Sequence, residues 1–513
     1  MICYINIAIC LALAAVFVLF RNDIFWLLNA LKYIRQGIAS RYYPIIGYMK
    51  HADTPEAENG LERWYKLYRT KKDPKKSEPM IVVNGYGSTP LLLLNDKKLM
   101  EDYYKVDWSH TTPMNLANFP FQKSFFFQKC DKALMQRGIV AEIFYDYNLR
   151  KLAPGICQIM NRHLAAIKKR AAEAKEGAEG GFVELPLKAD IHNIFRDVIS
   201  FMLFGGEGPK VEGVPISDQI ENVTNGLFMY STTSFWHKIT AGWSTKLGLS
   251  GRYNELKRIH NAILDEINKI VAYRKQSSTY VRGLNVVDLM IEFNEKMEAE
   301  GKTERVLSVK EILDNIFLLI FGGVETLESL SLNCVQHLSK HVGLQSEVRE
   351  TVRNEIFKGK DAESYDSYLD CELLDHFTTE CLRVSSPIWT NIFHLVTKNF
   401  KLGDYKVSKG SGIMVSFLTL QSKPEYFKNP HEFDLKKYQD KDRIKDLKKY
   451  CLIPFGAGKR SCLGKNLVKM ATKMIVANIL DQFELRVSEK PNHRFVMFSY
   501  SIKHCDTKVK ALR

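Results

Sequence analysis

The chain has 513 residues, 45% of them apolar and 26% charged, a balance that excludes a disordered or collagen-like polymer and supplies enough apolar surface to enclose a cofactor. Its formal charge of +15 admits nucleic acid, an anionic membrane or an acidic protein as partner, but no zinc finger, RNP sequence or similar signature accompanies it, so nucleic acid is not expected. The ten cysteines show neither CxxC nor zinc spacing, which excludes a disulfide or zinc scaffold and leaves reduced thiols as the reading of all but one.

In chain order, Ile2 to Phe20 is an apolar run with Asn6 as its only strongly polar side chain. It is long enough to span a bilayer and continues past the Ala12-Leu13-Ala14 triplet that a cleaved signal would use. Residues 1–22 are therefore expected to be an uncleaved transmembrane anchor. Positive charge follows at Arg21, Lys32, Arg35 and Arg41, which places the remainder on the cytoplasmic side. Residues 23–45, containing "IFWLLNALKYI", are expected to form an amphipathic segment on the membrane surface and a linker. The Pro and Gly of "RYYPIIGYMK" lead into one globular body over residues 46–513, since no later linker divides it.

Strand-like pieces are few and short: "MIVVNGY", "PLLLLN", "IFHLVT", "GIMVSF" and "RFVMFSYSI". Helical periodicity predominates from about Asp131 to Arg383, "RTKKDPKKSEP" reads as a charged surface loop, and no repeat occurs at solenoid periods. The expected fold class is mainly α with small β-sheets.

One helix, "SVKEILDNIFLLIFGGVETLESLSLNCVQHLSKH", opens on a capping box of Ser308 and Glu311 and is too apolar for a surface element. Within it, Gly322 and Gly323 each cost roughly 1 kcal/mol relative to alanine, and Glu325 stands beside them. Two readings explain the glycines: close packing of another helix, or a flattened face that a cofactor approaches, with Glu325 and Thr326 next to it. His337 and His341 share a helix face, but with no third ligand they are read as stabilising the helix C-terminus.

The remaining cysteine lies in "PFGAGKRSCLGKN", Pro454 to Asn466. Lys459 occupies the place of a Walker A glycine, and Ser461 that of the last glycine of GxGxxG, so this is no phosphate cradle. A cysteine at a helix start, beside backbone N–H groups and glycines that let the chain pass close to a flat ligand, suits a soft anionic metal ligand. Phe455, Gly458, Arg460, Cys462 and Gly464 resemble the FxxGxRxCxG signature of the cytochrome P450 haem-thiolate monooxygenases. Three further segments resemble that family in the same order. "ECLR" supplies Glu380 and Arg383 as its ExxR pair, "GGVETL" supplies Glu325 and Thr326 as its acid and threonine, and "NPHEFDLKKY" places Lys437 where an arginine is usual. The family's WxxxR element appears with Arg137 in place but Ala133 at the tryptophan position, and His394 falls where an arginine often binds a haem propionate.

The resemblance implies a cytochrome P450 fold with an N-terminal transmembrane helix, carrying haem b on the Cys462 thiolate. Arg460 and Arg137 are then its propionate partners, with His394 as a further one. Such a ligand favours O–O cleavage, and Glu325 and Thr326 would deliver the protons it needs. No flavin or nicotinamide fingerprint occurs, so electrons come from outside. The family points to the membrane-bound NADPH–cytochrome P450 reductase, with cytochrome b5 as a second donor, docking on basic residues around Cys462 and in Lys436 to Tyr450. Aromatic residues in "NFPFQKSFFFQ", at Phe317 and Phe321, and in "SPIWTN" and "VMFSYS" suggest a lipophilic substrate, a sterol, fatty acid or xenobiotic, though each is equally a core residue. The implied location is the endoplasmic reticulum membrane, single-pass, with the catalytic domain facing the cytoplasm. Two other readings stay open: a peroxide isomerase or dehydratase of the same fold, and a non-catalytic haem-binding protein.

Overall fold

The computed structural model describes residues 24–41, 77–84, 89–107, 109, 111–113, 121–174, 179–233, 250–358, 364–391, 394–488, 492–496, 499–504 and 507–512. The expected transmembrane anchor, residues 1–22, lies outside them. Among the described residues no helix is long and apolar enough to cross a membrane.

The long helix runs Val309–Lys340 and forms both halves of the expected capping box. Glu311 N–H donates to Ser308 Oγ at 3.3 Å, and Ser308 N–H donates to Glu311 Oε2 at 2.9 Å. Two orphan backbone donors are satisfied, so the helix can begin inside protein rather than in water. Most of its side chains are buried because helices cover it on several sides: Leu187–Phe204, Ile216–Thr233, Glu372–Val384 and Lys465–Gln482. The last of these starts just after Cys462 and buries Leu467, Met470, Ala471, Met474 and Ile475. At roughly 1.5–3 kcal/mol per large apolar side chain buried, this packing fixes the cysteine segment against the long helix.

A six-stranded sheet flanks the helices, in the order Ala39–Arg41, Met80–Asn84, Pro90–Leu94, Gly412–Val415, His394–Val396 and Thr111–Pro113. Gly412–Val415 runs parallel to Pro90–Leu94, and its Ile413 lies opposite His394. That register sets where His394 projects. The segment "RFVMFSYSI", read as one strand, is a hairpin of Asn492–Val496 with Ser499–His504. Three-residue strands such as Ala39–Arg41 and Thr111–Pro113 carry too little alternation to be seen in sequence. The fold class is as expected: mainly helical with small sheets.

Residues 24–34 are helical and amphipathic in an unusual way. Trp26, Ala30 and Tyr33 are buried against the sheet, with Trp26 Nε1 donating to Val83 O at 2.9 Å, while Phe25 and Leu28 stay 49% and 60% exposed. Ala39–Arg41 then pairs with Ile81–Val83. The folded body therefore reaches back before residue 46, where its start was expected.

Candidate active site

Cys462 opens onto an internal cavity of about 350 Å³. Its backbone N–H donates to Phe455 O at 2.8 Å, closing the loop. Gly456 and Gly458 hold φ at +68° and +67°, the left-handed region that a side chain would strain, which accounts for two glycines of the segment. The sulfur meets the cavity rather than outer solvent, so it is accessible yet poorly solvated. Burial pushes its thiol up in pKa, against the lowering effects of the Gly464 N–H, Arg137 and Lys465. A bound metal cation would favour the thiolate, as the reading of Cys462 as a soft anionic metal ligand requires.

Gly322 and Gly323 both line the cavity but differ in what packs over them. A Cβ on Gly323 would lie 2.7 Å from Ile199 Cδ1, so Gly323 serves helix packing as well as lining the cavity. Gly322 has nothing within 4 Å of such a Cβ and lines the cavity. One turn on, Thr326 also lines it, and its Oγ1 donates to Gly322 O at 2.8 Å. Glu325 is half-buried on the adjoining face of the helix and is not among the lining residues.

Arg137, Arg460 and His394 border the same cavity. Arg137 Nη2 donates to Ser461 O at 2.7 Å, and burial lowers its pKa. Arg460 donates to Phe126 O and Gln128 O, both at 3.2 Å. His394 Nδ1 pairs with Tyr103 Oη at 2.5 Å, and burial, then the nearby Arg460 charge, push the imidazole down to about 3. It is a neutral hydrogen-bonding group where an arginine is usual. Ala133, at the tryptophan position, is buried in the cavity wall. Tyr104, which no sequence pattern singled out, lines the cavity beside Gly456 and Ala457.

Glu380 and Arg383 lie outside the cavity and are fully buried. Arg383 Nε and Nη2 bond both carboxylate oxygens at 2.7 and 2.8 Å, and its remaining donors reach Gln421 O, Pro430 O and Glu432 O. Lys437 Nζ reaches Glu380 Oε1 at 3.3 Å and Glu432 O at 2.6 Å, so the lysine does take the third place. Tyr438, unnoticed in sequence, donates to Glu380 Oε2 at 2.8 Å. A buried ion pair is tolerable only when its lone pairs and protons are met in this way. His337 and His341 both stack on Phe433, at 4.4 and 5.6 Å between ring centroids, and His337 Nε2 lies 3.2 Å from Ser385 Oγ.

The cavity combines an open glycine face, apolar walls, one thiol and a cationic edge. Those residues fit a flat, largely apolar ring with anionic edge groups and a soft-ligand metal, as haem has. The comparisons agree. The cytochrome P450 family profile matches residues 44–505. The chain is 28% identical to cytochrome P450 3A28 of Bos taurus over 44% of each chain. It is 24% identical to cytochrome P450 709B3 of Arabidopsis thaliana over 61% of this chain and 58% of that one. A probable cytochrome P450 6d5 of Drosophila melanogaster is 23% identical over 83% and 84%. The matched stretch thus spans about half the length of the first two relatives. In fold, the chain is similar to a retinoic acid-bound cyanobacterial CYP120A1, with a TM-score of 0.72 at 17% identity over 93% of this chain and 99% of that one. The family carries haem on a cysteine thiolate, and the chain belongs to it: it is a cytochrome P450.

Proposed function

We propose that this chain is a haem-thiolate monooxygenase that inserts one atom of dioxygen into a lipophilic molecule, with Cys462 as the residue that would ligate the haem iron. The observation that carries this reading is that Cys462 and Thr326 line one cavity whose edge holds Arg137, Arg460 and His394. Bound haem supplies dioxygen binding and O–O cleavage. The residues do the rest. Arg460 and Arg137 would pair with the propionate carboxylates of bound haem by charge-assisted hydrogen bonds, and His394 would contribute a neutral one. Thr326, its hydroxyl proton tied to Gly322 O, keeps lone pairs for an ordered water, and Glu325 passes protons to that water from outside the cavity. Glu380, Arg383 and Lys437 hold the chain that leads into the cysteine loop.

Electrons enter from NADPH–cytochrome P450 reductase, with cytochrome b5 as accessory donor. Exposed Lys445, Lys448 and Lys449 on Lys441–Tyr450, with Lys459 and Lys465 beside the cysteine, give an acidic partner a surface to meet. The apolar run from Ile2 to Phe20 and the exposed apolar side chains of residues 24–34 support single-pass anchoring in the endoplasmic reticulum membrane, catalytic domain to the cytoplasm. Phe121, Phe125, Phe126 and Phe321 among the lining residues favour a sterol, fatty acid or xenobiotic as substrate.

The test is reconstitution with the reductase and NADPH under isotopically labelled dioxygen, over a panel of sterols and fatty acids. Label from dioxygen should enter the product, and Thr326→Ala should lower product per NADPH consumed by about 100-fold, the lower range for a lost proton-delivery group. Turnover of a hydroperoxide without NADPH, and none of any substrate with it, would sink the reading.

A further inference from the structure

The aromatic turn Phe121 to Gln128 forms one wall of the cavity, and it is irregular backbone in a buried place. Such backbone needs acceptors for its N–H groups. Two come from adjacent, fully buried positions on the long helix. Asp314 Oδ2 accepts from Lys123 N–H at 2.8 Å, and Asn315 Oδ1 accepts from Phe125 N–H at 2.9 Å.

Neither side chain is demanded by the packing of the long helix itself, where a leucine would bury at no polar cost. Both are instead built for the turn. The Asn315 amide has one satisfied orientation: its Nδ2 donates to Glu311 O at 2.8 Å and Gln136 Oε1 at 3.3 Å, which leaves Oδ1 for Phe125. The Asp314 carboxylate is held by Lys310 Nζ at 2.7 Å on its other oxygen. Phe121 completes the attachment, its ring 5.7 Å from Phe317 and 5.4 Å from Phe321 between centroids. Asn315 lies seven residues before Gly322, about 10 Å along the helix. The turn is thereby fixed at a set distance from the open glycine face.

We propose that Asp314 and Asn315 are positioning residues for substrate: by accepting the Lys123 and Phe125 N–H groups they hold Phe121, Phe125 and Phe126 at a fixed spacing from Gly322 and so set which lipophilic molecules the cavity admits. This rests on the monooxygenase reading above.

The experiment uses the full chain loaded with haem and compares Asp314→Ala and Asn315→Ala with Asp314→Asn, whose amide oxygen still accepts from Lys123. Clotrimazole, an azole with a bulky apolar body, is titrated against imidazole, which is too small to meet the turn. Both alanine variants should raise the clotrimazole Kd about tenfold, the order expected for a lost buried acceptor. Imidazole affinity should stay unchanged, and Asp314→Asn should resemble wild type. Amide exchange over residues 123–125 should quicken in the alanine variants alone. Unchanged exchange, unchanged clotrimazole affinity, or equal weakening of both azoles would overturn the proposal. A wild type lacking thiolate-ligated haem would overturn the monooxygenase reading instead, while the exchange result would still judge the clamp.

Discussion

The two sides of the cavity are built on opposite plans. The side bearing Cys462 is built around one stretch, Pro454 to Gly464, closed by its own Cys462-to-Phe455 hydrogen bond and by two glycines at positive φ. The rest of the wall is assembled from the turn at 121–128, Ile199 and Met202 of one helix, and the middle of the long helix. A site made from contiguous residues leaves its geometry in the sequence as a fixed spacing; a site made from distant pieces leaves only aromatic residues that look like core.

The largest blow to this arrangement should come from a place that belongs to neither side. Glu380→Ala strands a fully buried Arg383, with an expected loss of about 3–5 kcal/mol. Thermal unfolding and haem retention should both fall sharply; an unchanged melting temperature would show that the pair is not what holds the cysteine side in place.

The glycine pair sharpens the comparison because both line the cavity while only Gly323 is also packed against Ile199. Gly323→Ala should cost about 1–3 kcal/mol by overpacking against Ile199. Gly322→Ala should leave stability equal or raise it by about 1 kcal/mol, since the helix gains propensity and nothing is struck. It should weaken ligand binding all the same. Melting curves paired with azole titrations would separate the two, and equal destabilisation by both would break the distinction.

The smallest effect should come from His192, behind the long helix. Burial opposes its charge, but hydrogen bonds to Asp218 and Glu328 outweigh it and push the imidazole up from 6.5 to about 10. Lys188 also pairs with Glu328, Arg196 with Asp218, and Glu221 stands close, its own pKa raised by burial. Because the folded pKa is raised, His192 contributes stability fully below about pH 6.5 and loses it as pH climbs toward 10. The melting temperature should fall over that window, and less steeply in His192→Gln. Parallel slopes would mean that the histidine is not charged in the fold.

What the sequence disclosed follows the same division. The capping box at Ser308 and Glu311, the ExxR pair and the cysteine segment are local patterns, and each stands where its spacing placed it. Lys437 could be expected to serve in place of arginine because a positive charge at that position is itself local information. Tyr104, Tyr438 and the Asp314–Asn315 clamp act on the site through partners far along the chain, so no spacing announced them. The desolvation of the Cys462 thiol was not legible because it is a property of the closed cavity, whereas the helix start beside it is legible in a dozen residues.

The most direct test of the whole account is the absorption spectrum of the purified, reduced protein under carbon monoxide, taken beside Cys462→Ser. A strongly red-shifted Soret band in wild type that is lost in the variant is the expected result. A folded wild type that binds no haem, or a band that stays unshifted or survives the substitution, would contradict it.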